Sequence, residues 1–575
     1  MSQEESPPVI VLKFGSSVLR SIDDLPNVVH EIYRWYREGH QVIAVVSAIG
    51  NTTESLLDQA RTLSVTPEAF ALAELLATGE RTSAALLSVA LDRAGIPARA
   101  VSPSEIGLEV EGTPLNSQPV AVHILHVREL LEAYPVLVVP GFFGINAEGR
   151  THCLGRGGSD LTAVFLAVAL RARCRLLKDV DGVYECDPAN ASAHPRRFEQ
   201  LHYDDALAVA GKLIQPKAVA YLREQQICAE VAALAHPYQT LIHGGRTMTA
   251  GATSTAPRVD VVVLGCGTVG FGVYQRLRAQ PAHFRVIGVL VRNRVKHEEA
   301  GVPEDLLHTR IDSMRALKPA LVIDALPGIG VSADLLTHFL RRGVHVVSAN
   351  KTVIAEYGAG LTSIASESSA TLRYSAAVGG SAPMLEAVAA AKVSSSITQI
   401  AAVLNGTCNY VLDACADGTT LREAIAEAQR LGFAESDPSE DLSGRDAARK
   451  LQILVRHAFG TDLSAVPIQV LNESVVQAAR EAAMNGKRLR QVARAERRNG
   501  GVAVSVGFEP TYADSPFHTL SGEWNALIIT LANGETVTVR GRGAGRWPTA
   551  EAVMADVFDL VRARRIGAEW KISPG

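Results

Sequence analysis

Gly265, Gly267 and Gly270 follow the apolar run Val259–Leu264 with the spacing G-x-G-x-x-G, and Thr268 and Val269 lie inside the loop. A strand that runs into such a loop and then into a helix seats a dinucleotide pyrophosphate. The glycines let backbone N–H groups reach the phosphates at the helix N-terminus. The fingerprint alone is weak, but a second apolar run, Val286–Val291, leads into Arg292, Arg294 and Lys296. An NAD site usually carries an acid there for the ribose 2′-hydroxyl. Cations suit a 2′-phosphate, which favours NADP and leaves NAD open; solvated loop charges are the plain alternative.

A second set of chemistry-bearing residues precedes this loop. Lys13, in Lys13-Phe14-Gly15-Ser16-Ser17, ends an apolar run where an ammonium and backbone N–H groups can grip phosphate. Taken alone it reads equally well as a surface lysine. Ser47 to Thr53 repeats the arrangement after the next apolar run, and Glu80 lies in Gly79-Glu80-Arg81 on a helical stretch. In Gly155-Arg156-Gly157-Gly158-Ser159-Asp160 the glycines admit a ligand close to the backbone, and Arg156 offers a fork for a carboxylate. Ser159 or Asp160 is expected to cap a helix from Leu161 onward. Lys178, Asp181, Tyr184 and Asp187 follow a further strand; Asp-Gly by itself would be only a turn.

A third set follows the glycine loop: Ser348-Ala349-Asn350-Lys351, Asn405-Gly406-Thr407-Cys408-Asn409-Tyr410, Glu435 within Gly432–Pro438, and Asp441 through Lys450. Asp446 and Lys450 are four apart on a helix, and a surface ion pair of that kind is worth about 0.3–0.5 kcal/mol. However, Arg445, Arg449, Gln452 and Arg456 already make the solvated face. Asp446 and Lys450 therefore fall on the border with the apolar face of Ala447, Leu451, Leu454 and Ala458, where a cleft lip is expected.

Short apolar runs must position these groups: Val9–Lys13, Val42–Ser47, Val136–Pro140, Val286–Val291, Leu321–Ala325 and Val344–Ser348 read as buried parallel strands between helices. Ser395–Thr407, Val502–Val506, Ala526–Leu531 and Thr536–Val539 read as a mixed-sheet subdomain, and Thr549–Arg564 as a last helix. The chain has 575 residues, with 47% hydrophobic residues and a net charge of −4, which excludes a basic field for nucleic acid or anionic membrane. Its seven scattered cysteines, lacking any C-x-x-C, fit free thiols in a reducing cytosol. The acidic, polar start and the lack of a long apolar run predict a cytoplasmic protein.

From Val9 to about Ala232 the motifs resemble the amino-acid kinase family, aspartate kinases in particular. The resemblance implies phosphoryl transfer from MgATP to the side chain of aspartate, with Lys13 stabilising the transferring group. It places Arg156, Glu80, Ser47 and Thr53 around the amino acid, and Lys178, Asp181, Tyr184, Asp187 and Lys212 toward the nucleotide. Lys178 stands where the family has Thr or Ser, Ala189 where it has Arg, and Gln215 where it has His. These departures keep open a kinase half that only binds ligand or assists assembly.

From Val259 onward, the motifs, ending in Gly541-Arg542-Gly543-Ala544-Gly545 and Pro548-Thr549-Ala550, resemble homoserine dehydrogenases. This implies reduction of aspartate 4-semialdehyde to homoserine, with Lys351 or Lys450 supplying the proton. Glu435 and Asp446 would bind the amino group with Asp441 nearby, and Ser348 and Lys351 would join the glycine loop around the cofactor. The backbone of Ala377 and Gly379 would hold a monovalent cation, although Ser375 stands where relatives have Glu. Relatives also imply a homo-oligomer, a dimer or higher.

The expected fold class is α/β: an amino-acid-kinase-like open sheet over 1–245, a linker over 246–257, and a Rossmann domain over 258–380. An α+β catalytic and dimerisation domain follows over 381–548, with a C-terminal helix, 549–575, returning to the nucleotide domain. About 26 residues between Ala232 and Val259 leave no room for the ACT regulatory domains that usually separate such halves.

Overall fold

The computed structural model describes residues 7–188, 195–211, 213–236, 238–250, 258–435 and 437–565. It divides into two compact units that part near residue 255, with the short segment Ala94–Ile96 grouped with the second.

The first unit is built on a nine-stranded sheet. Its strands run in the order Met248–Thr249, Phe198–His202, Gln239–His243, Ala229–Ala233, Arg173–Lys178, Val9–Phe14, Gln41–Val46, Val136–Pro140 and Ala98–Ala100. All neighbours are parallel except the pairs of Gln239–His243 with Ala229–Ala233 and of Phe198–His202 with Met248–Thr249. Gln41–Val46 and Val136–Pro140 are buried along their whole length, because helices cover both faces of a parallel sheet. Met248–Thr249 is an edge strand of this sheet, so the ordered unit extends into the stretch read as linker; residues 251–257 lie outside the described residues. A smaller four-stranded sheet joins the hairpin Glu109–Thr113/Asn116–Ala121 to the pair Phe143–Ile145/Thr151–Cys153.

In the second unit, six parallel strands lie in the order Leu307–His308, Phe284–Leu290, Val259–Leu264, Leu321–Asp324, His345–Ser348 and Leu372–Arg373. Numbered along the chain this is 3-2-1-4-5-6, the doubly wound dinucleotide order. A five-stranded antiparallel sheet follows: Gly501–Thr511, Arg488–Arg498, Ile397–Val403, Trp524–Leu531 and Thr536–Arg542. The helices Met384–Ser394 and Arg445–Phe459 pack their apolar residues on one face of it, among them Val388, Leu451 and Leu454 against Ile400 and Leu527.

The last helix, Arg546–Arg565, returns to the six-stranded layer. Its Glu551 pairs with Arg276 at 3.2 Å, and Phe558 meets Phe284 edge-on. Among the described residues no helix is long and apolar enough to cross a membrane.

Candidate functional site

In the first unit, Val9–Phe14 and Arg173–Lys178 are parallel neighbours from which the chain departs in opposite directions. Ligands bind outside the carboxyl ends of strands at such a switch point. Lys13 is the penultimate residue of one strand and Lys178 the last of the other. Both reach Asp160: Lys13 Nζ lies 2.7 Å from Oδ1 and Lys178 Nζ 3.1 Å from Oδ2. All three are buried. Burial alone would raise the Asp160 pKa, but the two ammonium groups hold it down to about 2. Burial and the neighbouring Lys13 charge lower the Lys178 amine to about 8 against the pull of Asp160.

Neither Ser159 nor Asp160 is the expected cap of the following helix. The helix begins at Gly158, and its cap is Gly157 in the left-handed conformation at φ 77°. A side chain on Gly157 would collide with Gln215, whose Cγ lies 1.7 Å from where a Cβ would sit. Asp160 is inside the first turn, with its carboxylate committed to the lysines. Gly141 is glycine because a Cβ there would stand 2.8 Å from that of Ser159.

Glu80 projects from the buried stripe of helix Ala69–Arg93 toward the turn after the second strand, where it accepts from Ala48 N at 3.2 Å. Its other oxygen is buried without a partner among the described residues, and burial pushes its pKa up to about 7. Ser47 and Thr53 flank that turn half-buried, while Arg156 is exposed on the glycine loop. Asp181 and Tyr184 bond to each other at 2.6 Å. Asp187 is exposed, and Lys212 lies outside the described residues.

In the second unit, the glycine loop has a steric reason at each end. Gly265 has φ 89°, with Ala325 O 2.7 Å from where a Cβ would sit. A Cβ on Gly270 would meet Gly265 O at 1.9 Å. Gly267 has open space, and Thr268 and Val269 begin the helix Thr268–Arg278. Arg292 and Lys296 are exposed, and no side-chain hydrogen bond or ion pair engages them among the described residues, whereas Arg294 is spent on Glu304 at 2.8 Å. Asp324, fully buried at the neighbouring strand end, accepts from Ser332 Oγ and Ser348 Oγ, each at 2.8 Å, and burial raises its pKa to about 6. Ser348 Oγ in turn accepts from Asn350 N, and Asn350 caps the helix whose first residue is Lys351.

Lys351 meets Asp446 Oδ1, while Lys450 meets Asp446 Oδ2 at 2.9 Å. Asp446 and Lys450 are therefore buried rather than placed on a lip. Burial would raise Asp446, but Lys450 and Lys351 hold it well below the usual carboxylate range. Burial would lower Lys351, and Asp446 outweighs that effect and holds it above the ordinary lysine value.

Asn405, named above only as the start of a motif, joins this cluster. Its Nδ2 donates to Asp441 Oδ1 at 2.7 Å and to Asp446 Oδ2 at 2.9 Å, while its Oδ1 caps the helix Gly406–Ala416. Lys450 also donates to Leu404 O at 2.7 Å, as does Asn525 Nδ2 at 3.2 Å. Gly543 must be glycine because a Cβ would lie 1.7 Å from Asn525 Nδ2, which connects the glycine-rich Gly541–Gly545 run to this cluster. Glu435 is exposed and makes no side-chain hydrogen bond with the cluster among the described residues. The segment of Ala377 and Gly379 fits a cation poorly. Ser375 Oγ is engaged with Glu386 at 2.5 Å and Asp556 at 3.0 Å, and Gly379 O accepts from Ala382 N. Among the described residues no group of three or more His, Cys, Asp or Glu is placed to hold a metal.

The amino acid kinase family model matches residues 8–233, the homoserine dehydrogenase NAD binding domain 265–375, and homoserine dehydrogenase 383–558. Homoserine dehydrogenase of Bacillus subtilis is 32% identical over 54% of this chain and 74% of its own length. Aspartokinase of Corynebacterium efficiens is 34% identical over 45% of this chain, which spans only 61% of that relative. A crystal structure of a homoserine dehydrogenase from Thiobacillus denitrificans, 29% identical, covers 55% of this chain and 76% of its own at a TM-score of 0.49. These domains and relatives support kinase and dehydrogenase activities together, and favour that reading over a dehydrogenase carrying an inert kinase-like module. The chain belongs to the homoserine dehydrogenase family through its second unit, and its first unit is similar to amino acid kinases over residues 8–233.

Proposed function

We propose that the first unit phosphorylates the side-chain carboxylate of L-aspartate with MgATP, and that the second reduces L-aspartate 4-semialdehyde to L-homoserine with NADPH. The two steps belong to the route toward threonine, methionine and lysine; a separate reductase must act between them, so fusion does not imply channelling. The observation that carries the reading is the recurrence of one buried carboxylate gripped by two lysines, at the carboxyl ends of strands in the first unit and, in the second, joining Lys351 of the NAD-binding match to Asp446 and Lys450 of the homoserine dehydrogenase match.

In the kinase unit, Lys13 neutralises charge on the transferring phosphoryl, where positioning and electrostatics dominate the chemistry. Arg156 holds the α-carboxylate of aspartate and Glu80 its ammonium, beside Ser47 and Thr53. Asp181, Tyr184, Asp187 and Lys212 face the nucleotide.

In the dehydrogenase unit, the bound nicotinamide supplies the hydride. The residues fit the cofactor: Gly267 leaves room for the pyrophosphate, Ser348 is fixed at the neighbouring strand end, and Arg292 and Lys296 are available for a 2′-phosphate. Lys351 or Lys450 gives the one proton that the forming alkoxide takes, and a lysine ammonium is a sufficient acid at neutral pH. Asp446, Asp441 and Glu435 receive the substrate ammonium. No step is assigned to a cation at Ala377 and Gly379. The seven free cysteines, five buried and two exposed, suit a reducing cytoplasm, and assembly into a dimer or larger oligomer goes with the family.

Trapping aspartyl phosphate as its hydroxamate tests the kinase, and NADP-linked oxidation of homoserine tests the dehydrogenase. Absence of hydroxamate at saturating substrates would sink the first claim, and a preference for NAD would correct the second.

A further inference from the structure

Lys13, Asp160 and Lys178 form a buried group with a net charge of +1. A buried charge is expensive unless paired, and one carboxylate cannot neutralise two ammonium groups. Asp179, exposed to solvent just past the same strand end, and Glu80, on helix Ala69–Arg93, are further acids that act on the pair. Burial favours the uncharged form of Glu80, so it balances the excess only in part near neutral pH. The group therefore calls for an anion. It lies at the switch point of the sheet, beside a helix N-terminus and next to Gly15, where a Cβ would come within 2.7 Å of Lys13 Nζ.

We propose that Lys178 is a second catalytic lysine of the kinase unit, gripping the transferring phosphoryl group together with Lys13, with Asp160 as their shared counter-ion. The proposal rests on the kinase reading above and departs from the nucleotide-facing role that motif position assigned to Lys178. In the step itself, an oxygen of the aspartate side-chain carboxylate forms a bond to the γ-phosphorus of ATP. The bond from that phosphorus to the β–γ bridging oxygen breaks, ADP takes the electron pair, and no proton need move. The two ammonium groups meet the charge on the phosphoryl oxygens as it passes. Asp160 keeps the lysines apart and charged while the site is empty.

The test compares wild type with Lys178→Met, and with Lys178→Thr as a second, smaller neutral variant. Dehydrogenase turnover of the same chain and MgADP affinity serve as controls of folding. The expected result is a kcat for aspartyl phosphate lowered about 100-fold or more, the usual cost of losing one charge-stabilising donor, with both KM values within about threefold. Binding of MgADP with aluminium fluoride and aspartate, a mimic of the phosphoryl in flight, should weaken by the same order while MgADP alone is held as before. Unchanged kcat in either folded variant would overturn the proposal. If wild type itself makes no aspartyl phosphate, the kinase reading fails separately. The fluoride complex then decides the lysine: a loss confined to that complex supports the proposal, and equal affinity in variant and wild type overturns it.

Discussion

Lys450 Nζ stands 2.9 Å from Asp446 Oδ2, with their side chains only 9% and 3% exposed. A pair at this spacing on an open helix face would be worth a few tenths of a kcal/mol. Here the carboxylate also faces Lys351 and Asn405, and Lys450 donates to the carbonyl of Leu404. Removing the acid would strand two ammonium groups, so Asp446→Ala should destabilise the second unit by roughly 3–5 kcal/mol. Lys351→Ala and Lys450→Ala should each lower homoserine oxidation by about 10²-fold or more while NADPH fluorescence still reports binding. Near-normal rates in both variants would refute their assignment.

Asn405 separates structure from chemistry in one position. Asn405→Asp keeps an oxygen for the helix cap at Cys408 N but sets a third carboxylate against Asp441 and Asp446. The variant should lose turnover and melt earlier at pH 8, and recover part of both as the pH is lowered. Asn405→Ser keeps the cap without the charge and should lose turnover, with melting lowered by the loss of the bonds to Asp441 and Asp446 but insensitive to pH between 6 and 8. A cap-only role predicts normal turnover in Asn405→Ser.

Arg292 and Lys296 set the choice of dinucleotide if they meet a 2′-phosphate. Arg292→Glu should raise KM for NADPH about 10- to 100-fold, the weight of a charged hydrogen bond, and leave KM for NADH within about threefold. Equal effects on the two cofactors would remove Arg292 from the specificity set.

Glu80 carries a pH signature. Its pKa is raised from 4.5 to about 7, first by burial, against the bond from Ala48 N and the charge of Lys13. A raised carboxyl is neutral below that value, so the carboxylate that would grip the aspartate ammonium forms only as the pH rises through about 7. KM for aspartate should therefore fall steeply between pH 6 and 7 and flatten above. Glu80→Gln should show a high KM without that slope. The same sign makes Glu80 a liability to the fold: its stability contribution is lost as pH climbs from 4.5 toward 7.

Much of this was legible in the chain because parallel strands buried on both faces write themselves as apolar runs. Val136–Pro140 was read with its observed bounds, and Gln41–Val46 and Phe284–Leu290 differ from Val42–Ser47 and Val286–Val291 by a residue or two. Arg488–Arg498 left no such trace. Its arginines break the apolar pattern, yet Arg490 is fully buried, satisfied by Asp413 and by the carbonyls of Phe517 and Leu520. Side-chain partners across distant segments were the other blind spot. Nothing in the spacing of Asp160 and Lys178 says that they meet, and nothing in the motif that begins at Asn405 says that it meets Asp441 and Asp446. The final helix was read from Thr549, but it begins at Arg546, one turn earlier than its apolar pattern.

The central claim is that two separate enzymes share this chain, and one purified sample can test it. Aspartyl hydroxamate formation and NADP-linked homoserine oxidation are measured side by side on wild type, Lys13→Ala and Lys450→Ala. The account predicts both activities in wild type, loss of the first alone in Lys13→Ala, and loss of the second alone in Lys450→Ala. A wild-type chain that oxidises homoserine but forms no hydroxamate, or a Lys13→Ala variant that still forms it at the wild-type rate, would contradict it.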